Sequence, residues 1–394
     1  MESSPPPKIP RDPKRDYTPE MLQARRRFAE GQGGTSLEYV GGRAPDLAEL
    51  SGNIENAMGF AQVPIGLAGP LHVRGEHVDG NVYVPMATTE GTLVASYSRG
   101  MKLAAACGGI RTTMVERYMQ RAPVFRFASA RDALTFSRWF DAHFEDVRTA
   151  AEATTSVGKL SHVETYAVGP MLYTRMNFTT GDAAGQNMSG KAAEAACRWV
   201  MQAYQGPIVG YTLSGAIDTD KKHSHLNTLH SRGARVIAET VLQPEVVERM
   251  MRTTTHDLFR VRQVSMTGGV LSGSVNNGLH SATALAALFI ATGQDDANVA
   301  ESHAGITFLD LREDGSLYWS LTLPSLIVAT YGGGTGLPTQ RECLELMGCY
   351  GTGRVGRLAE ICAATCLAGD LSLSAAVVAG DWVESHDRLG RNRP

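Results

Sequence analysis

The order of short patterned segments between residues 124 and 213 limits the architectures open to this chain more than any other feature. Residues 124–127 alternate as a strand. Residues 132–153 place Leu134, Phe136, Trp139, Phe140, Phe144 and Val147 at mixed three- and four-residue spacing, the stripe of an amphipathic helix. Two strand-like runs follow, 161–168 and 171–178, with Gly169-Pro170 between them as a hairpin turn. A helix is expected over 187–204 and a strand over 207–213. Strand, helix, strand, strand, helix, strand is the ferredoxin-like order, and it needs only about 90 residues. The 394-residue chain continues on both sides, so this small domain is expected to interrupt a larger one.

The flanks have another texture, with glycine-rich turns and apolar helices expected over 91–107, 281–292 and 356–380. Residues 306–311 and 317–323 alternate across Glu313-Asp314-Gly315, a second hairpin. The fold class expected is α+β. A large helix-rich domain, 51–122 and 213–394, is interrupted by the small domain, 123–212. A proline-rich, disordered lead-in, a short basic helix over 21–30 and a helical piece over 44–50 make up residues 1–50.

Composition excludes several classes of function. Apolar residues at 43% and charged residues at 20% are ordinary for a soluble globular chain. A net charge of −3 gives no electrostatic footprint for nucleic acid or an anionic membrane. The apolar run 282–291 is too short to span a bilayer and the N-terminus does not read as a signal peptide, so a cytoplasmic protein is expected. Cys107, Cys197, Cys343, Cys349, Cys362 and Cys366 form no CxxC pair. Cys362 and Cys366, four apart on a helix, would suit a metal or a disulfide, but buried reduced thiols fit their apolar setting better and no metal is expected.

Four short blocks carry the chemistry. Thr219-Asp220-Lys221-Lys222 sets a lysine among charges, Thr88-Thr89-Glu90-Gly91 offers a carboxylate at a turn, Gly293-Gln294-Asp295 offers another, and Ser385-His386 adds an imidazole. A cation, two carboxylates and an imidazole are the set needed to reduce a carbonyl and expel a leaving group. Each block also has a plain reading: a solvated turn for Lys221, a helix cap for Glu90, a helix C-terminal turn for Asp295 and a surface position for His386. Two loops, Gly181-Asp182-Ala183-Ala184-Gly185-Gln186-Asn187 and Tyr331-Gly332-Gly333-Gly334-Thr335-Gly336, allow close backbone approach to a ligand. Neither is GxGxxG, so a Rossmann fold is not expected.

In this order the blocks resemble the 3-hydroxy-3-methylglutaryl-CoA (HMG-CoA) reductases, especially their class I form. Glu55-Asn56-Ala57-Met58-Gly59, Pro64-Ile65-Gly66-Leu67-Ala68-Gly69-Pro70-Leu71 and Pro85-Met86-Ala87 extend the match, which runs from about residue 50 to 387. The resemblance implies reduction of (S)-HMG-CoA to (R)-mevalonate and free CoA with two NADPH, for the mevalonate route to isoprenoids. It implies that Lys221 stabilises the oxyanion, Glu90 protonates the mevaldehyde oxygen, Asp295 links the two, and His386 protonates the departing thiolate. It assigns the hydroxymethylglutaryl group to Ser96, Arg99, Arg121, Ser214, Asp220, Lys222, His280 and Leu373, and CoA to Glu55, Asn56 and Lys102. It assigns the cofactor to Ser156, Asp182, Ala183, Gln186, Asn187 and the run Gly332, Gly333, Gly334, Thr335. It further implies that the small domain binds NADPH, and that the active sites lie at a subunit interface of a homodimer or homotetramer.

The departures are specific. Thr155-Ser156-Val157 lacks the arginine the family places at the cofactor's 2′-phosphate, leaving Lys159 or Arg175 as substitutes and NADH as an alternative. The substrate-side lysine of the family has no clear counterpart between Arg260 and Met266, leaving Arg262 as the candidate substitute, and the family's membrane region is not matched. Besides biosynthetic reduction with NADPH, two readings stay open: an NADH-preferring or mevalonate-oxidising relative, and a non-catalytic protein that binds acyl-CoA.

Overall fold

The computed structural model describes residues 5–12, 14–274 and 276–380. Helix α1 (Pro19–Gly33) leads to a hairpin of β1 (Ile65–Arg74) and β2 (Asp79–Ala87), helix α2 (Leu93–Ala106) and the long strand β3 (Ile110–Arg121). The middle of the chain supplies β4 (Val124–Arg126), α3 (Ala130–Ala142), α4 (Phe144–Glu152), β5 (Lys159–Val168), β6 (Met171–Thr179), α5 (Gln186–Ala203) and β7 (Gly210–Thr212). The return brings α6 (His225–Leu229), β8 (Gly233–Leu242), α7 (Pro244–Met251), α8 (Thr255–Ser272), α9 (Ser281–Thr292) and α10 (Val299–Ser302). It ends with β9 (Ile306–Leu311), β10 (Leu317–Leu326), α11 (Pro338–Leu346) and α12 (Val355–Ala379).

The middle strands pair in the order β7-β4-β6-β5, every neighbour antiparallel, with the two-residue turn joining Val168 to Met171. That is the ferredoxin-like arrangement. Its core is aromatic, built from Phe125, Phe136, Phe140 and Phe178 with Leu160, Leu172, Met176 and the small face of α5. The outer strands pair as β2-β1-β3-β8-β10-β9 over a separate core. The two sheets are continuous, because the end of β3 pairs with β6 from Met119 to Arg121 just before β4 begins. This junction lies beside the 213–222 segment and aligns the loops that carry chemistry.

Several expectations are corrected. The helix expected over 132–153 is two helices. His143 adopts φ −110° and ψ 21°, its ring stacks on Trp139 at 4.4 Å, and its Nδ1 lies 2.8 Å from the Trp139 carbonyl, which breaks the ladder locally. The strand expected over 207–213 is three residues long. The described part of the lead-in is docked rather than disordered: Arg25 donates to the Pro10 and Asp16 carbonyls and pairs with Asp16 at 2.6 Å, and the Tyr83 hydroxyl donates to the Pro7 carbonyl. The outer domain holds more sheet than expected. β8 was not expected, although Ala234, Val236, Ala238, Thr240 and Leu242 alternate inward as a strand should.

Helix α12 is the spine of the larger core. Its 25 residues are long and apolar enough to cross a bilayer, but 83% of its most apolar window is buried inside the protein. The length test applied to 282–291 therefore overlooked the longest apolar helix. Each fully buried Leu or Ile here, such as Leu358, Ile361 and Leu367, contributes about 1.5–3 kcal/mol through water exclusion. Helix α2 packs so closely on α12 that a Cβ on Gly100 would lie 1.8 Å from the Ala368 carbonyl oxygen. Among the described residues all six cysteines are free, and burial raises the Cys362 and Cys366 thiols far above the ordinary range.

Candidate active site

The segment 214–222 leaves β7 and turns three times through the left-handed region without glycine: Ala216 at φ 64°, Thr219 at 57° and Lys221 at 54°. Each such residue costs about 1–2 kcal/mol, so neighbours must hold the loop. Asp218, almost fully buried, accepts from the Ser214 hydroxyl at 3.0 Å and pairs with Arg121 at 3.3 Å. Arg121 also donates to the Gln186 carbonyl at 3.2 Å. The Thr219 hydroxyl donates to the Asn227 side-chain oxygen. Asp220 binds the buried guanidinium of Arg232 at 2.6 Å, and the Lys222 ammonium reaches the Asp220 carbonyl at 2.9 Å. Ser214, Asp220 and Lys222 thus share one loop, which Arg121 at the end of β3 meets through Asp218.

Lys221 Nζ lies 2.8 Å from Asp295 Oδ2, 74 positions further along the sequence, with both side chains nearly half exposed (45% and 43%). The hydrogen bond to Asp295 raises the lysine pKa against the opposing effect of partial burial, with Asp220 and Glu301 adding to the rise. The ammonium therefore stays charged at neutral pH. Asp295 is held by its surroundings: the Gln294 amide donates to the Ala329 carbonyl at 3.0 Å and accepts from the Ala329 N–H at 2.7 Å. Gly293, at φ 68°, closes α9, and a Cβ there would lie 2.2 Å from the Gly334 carbonyl oxygen. The glycine-rich 332–336 loop and the Asp295 turn therefore touch backbone to backbone. Glu301, fully buried, accepts the Lys221 backbone N–H at 3.0 Å.

A second cluster forms at the opposite end of α9. The Ser96 and Ser372 hydroxyls are 3.0 Å apart, and Arg99 donates to the Ser372 hydroxyl at 3.0 Å and to its carbonyl at 2.6 Å. The Tyr97 hydroxyl donates to the His280 carbonyl at 2.7 Å and lies 2.7 Å from His280 Nδ1. With its proton used on the carbonyl, the tyrosine oxygen must accept from Nδ1–H, which leaves Nε2 of a neutral imidazole as an acceptor. Burial lowers the His280 pKa to about 4. The fully buried Asp370 accepts from the backbone N–H of Leu279 and of His280, and burial raises its pKa to about 6 against the pull of Arg262. Leu373 follows Ser372, and exposed Lys102 sits three residues beyond Arg99 on α2.

Glu90 belongs to this second cluster. It is exposed just ahead of α2, its backbone N–H donates to the Thr88 hydroxyl at 3.0 Å, and its charge acts on Tyr97. Among the described residues its carboxylate forms no ion pair with Lys221 and no hydrogen bond to Asp295. Helix α9, about 18 Å long at 1.5 Å per residue, runs from His280 at its start to the Asp295 turn beyond its end. The linked trio expected from the resemblance is therefore not assembled within one chain. His386 lies outside the described residues.

The expected cofactor residues are placed more diversely. Asp182 accepts from the backbone N–H groups of Gly353, Arg354 and Val355 at 2.8, 3.0 and 3.1 Å, capping the start of α12. Burial opposes its ionisation, but those three donors win and hold its carboxyl below the usual range. The Ala183 carbonyl accepts from Arg117 at 2.7 Å, and the Gln186 amide donates to Asn298 Oδ1 at 3.0 Å, three residues from Asp295. Asn187 and Ser156 are exposed, as are Gly332 and Gly333, where a Cβ would meet nothing within 4 Å; Gly334 is half-buried and Thr335 buried. Glu55 and Asn56 are exposed ahead of β1, Asn56 at φ 51°.

Two proposed substitutes fail. Arg175 is fully buried against Glu164 at 3.0 Å, so it cannot serve a cofactor phosphate. Arg262 is buried beneath the Trp319 ring and near Asp370, so it is core rather than substrate-facing. Lys159 stays exposed but pairs with Glu152 at 2.8 Å. Arg232, Glu301, Asp218, Tyr97 and Asp370 had no signal in the sequence beyond their residue type. Among the described residues no three His, Cys, Asp or Glu side chains gather as a metal site.

The hydroxymethylglutaryl-coenzyme A reductase family model matches residues 21–391. The chain is 41% identical over 379 residues to 3-hydroxy-3-methylglutaryl-coenzyme A reductase of Aeropyrum pernix, covering 94% of this chain and 90% of that one. It is 40% identical over 375 residues to the Methanothermobacter thermautotrophicus reductase, covering 94% of each. A class II reductase from Streptococcus pneumoniae, solved bound to NADPH in open conformations, shares the fold with a TM-score of 0.72 at 23% identity, over 90% of this chain and 86% of that one. A family model spanning nearly the whole chain, with relatives at about 40% identity along the same length, shows that this chain belongs to the hydroxymethylglutaryl-coenzyme A reductase family.

Proposed function

We propose that the protein reduces (S)-HMG-CoA to (R)-mevalonate and CoA in the mevalonate pathway, and that its active site is completed by a second copy of the chain. The observation that carries this is the Lys221–Asp295 pair: an ammonium locked on a carboxylate yet still open to solvent. Such a cation, fixed before substrate arrives, is suited to an oxyanion that develops as a carbonyl is reduced. Bound NADPH supplies hydride for each of the two reductions. Lys221 stabilises negative charge on the carbonyl oxygen in both. Asp295 keeps the lysine charged and oriented, and Arg121 and Lys222 meet the substrate carboxylate. Glu90 from the partner protonates the mevaldehyde oxygen, and His386 protonates the thiolate.

Lys221 and Glu90 form no ion pair with each other among the described residues of one chain, which supports a site completed by a second copy. The start of α5 after Gly185, in the small domain 123–212, and the open face of the 332–336 loop of the large domain would offer backbone N–H groups to the cofactor phosphates. The turn at Thr155, whose hydroxyl accepts from the Val157 and Gly158 N–H groups, offers no arginine to a 2′-phosphate. That observation favours a second reading in which NADH is also accepted. A cytoplasmic location is part of this proposal; α12, the described helix of membrane-spanning length, is mostly buried in the core.

Purified protein given HMG-CoA is expected to oxidise two equivalents of NADPH per CoA released, with NADH run in parallel. Lys221→Ala abolishes both reductions, whereas His386→Gln slows CoA release and spares mevaldehyde reduction. Binding of HMG-CoA without turnover with either cofactor would leave only the acyl-CoA-binding alternative.

A further inference from the structure

We infer that the buried Arg232–Glu301 pair is the positioning device that sets Lys221 for reaction, acting on its backbone while Asp295 holds its side chain. The inference rests on the reading of Lys221 as the oxyanion partner. One short segment grips this residue at both ends. Asp295 takes the ammonium at 2.8 Å, and Glu301, six residues later, accepts the Lys221 N–H through Oε1 at 3.0 Å. Arg232, with no exposed surface, bridges Glu301 and Asp220, the residue before Lys221. Its Nε lies 3.3 Å from Glu301 Oε1 and its terminal nitrogen 2.6 Å from Asp220 Oδ1, while another donates to the Gln120 carbonyl at 3.2 Å.

A fully buried ion pair is a poor source of stability, because removing both charges from water offsets much of their attraction. This one is also incompletely satisfied: Glu301 Oε2 is buried without a hydrogen-bond partner among the described residues. What the pair does achieve is geometric. Lys221 and Thr219 are held at positive φ, a conformation that unconstrained non-glycine residues leave. The loop relaxes without the carboxylate at 301, and the ammonium leaves the point where charge develops.

The test is steady-state kinetics on full-length Glu301→Ala and Glu301→Gln, with activity normalised to folded protein. Displacing a catalytic group by an ångström slows turnover by about a hundredfold, which is the loss in kcat expected for Glu301→Ala. Both half-reactions fall together, and KM for HMG-CoA and NADPH changes little. Glutamine retains an acceptor for the Lys221 N–H, so Glu301→Gln recovers much of the rate. It also removes one of the three carboxylates acting on the ammonium (Asp295, Asp220 and Glu301), so the alkaline limb of its kcat profile moves to lower pH. Unchanged kcat per folded site in Glu301→Ala overturns the inference, as does an unmoved alkaline limb in Glu301→Gln. If Glu301→Ala does not fold, the glutamine variant decides. A wild-type protein that fails to turn over HMG-CoA instead overturns the proposed function.

Discussion

Asp370 and His280 titrate in opposite senses although one accepts the other's backbone N–H at 2.8 Å. Burial lowers the imidazole to about 4, against about 6.5 in an unfolded chain, so folding favours its neutral form. That contribution is present above pH 6.5 and is lost as pH falls toward 4. Burial raises the Asp370 carboxyl to about 6, against about 3.9 unfolded, so folding favours its protonated form. Its contribution is present below pH 4 and is lost as pH rises through 6. Between pH 4 and 6 the two slopes offset each other. In Asp370→Asn only the histidine slope remains, so the variant loses stability on acidification from pH 6.5 to 4 more steeply than wild type. Denaturant midpoints measured across that range check this, and parallel curves would sink it.

At the scale of elements, the site depends on how α2 meets α12. Ser96 and Arg99 reach Ser372 because Gly100 lets the helices approach until backbone touches backbone. Alanine would ordinarily favour a helix interior by about 1 kcal/mol over glycine. Here its methyl would sit 1.8 Å from the Ala368 oxygen, and overpacking of this kind costs about 1–3 kcal/mol or more. Gly100→Ala is therefore expected to lower the unfolding midpoint and raise KM for HMG-CoA, while the Lys221–Asp295 pair on the far end of α9 is left intact. A stabilised variant with normal KM would contradict this packing account.

At the scale of the whole molecule, a site divided between copies makes a quantitative prediction. Glu90→Gln and Lys221→Ala homodimers are each nearly inactive. Dissociated and reassembled together, half of the dimers are hybrids and each hybrid has one intact site, so activity returns to about one quarter of wild type. No recovery, with mixed dimers verified by tag exchange, would mean that each chain carries its own complete site. Much of the design was legible beforehand. Consecutive residues carry periodicity, so the ferredoxin-like order and the Lys221, Glu90 and Asp295 blocks could be read directly. The break at His143, the docking of the lead-in through Arg25 and the core placement of α12 could not, since each depends on what lies alongside in space. The same limit separates Arg232 from Arg111: one is sealed between Asp220 and Glu301, while the other is mostly exposed beside Glu239. Residue types and local spacing determined which groups are available for chemistry. Tertiary structure alone decided which of them meet, because burial and ion pairing are set by neighbours tens of positions away.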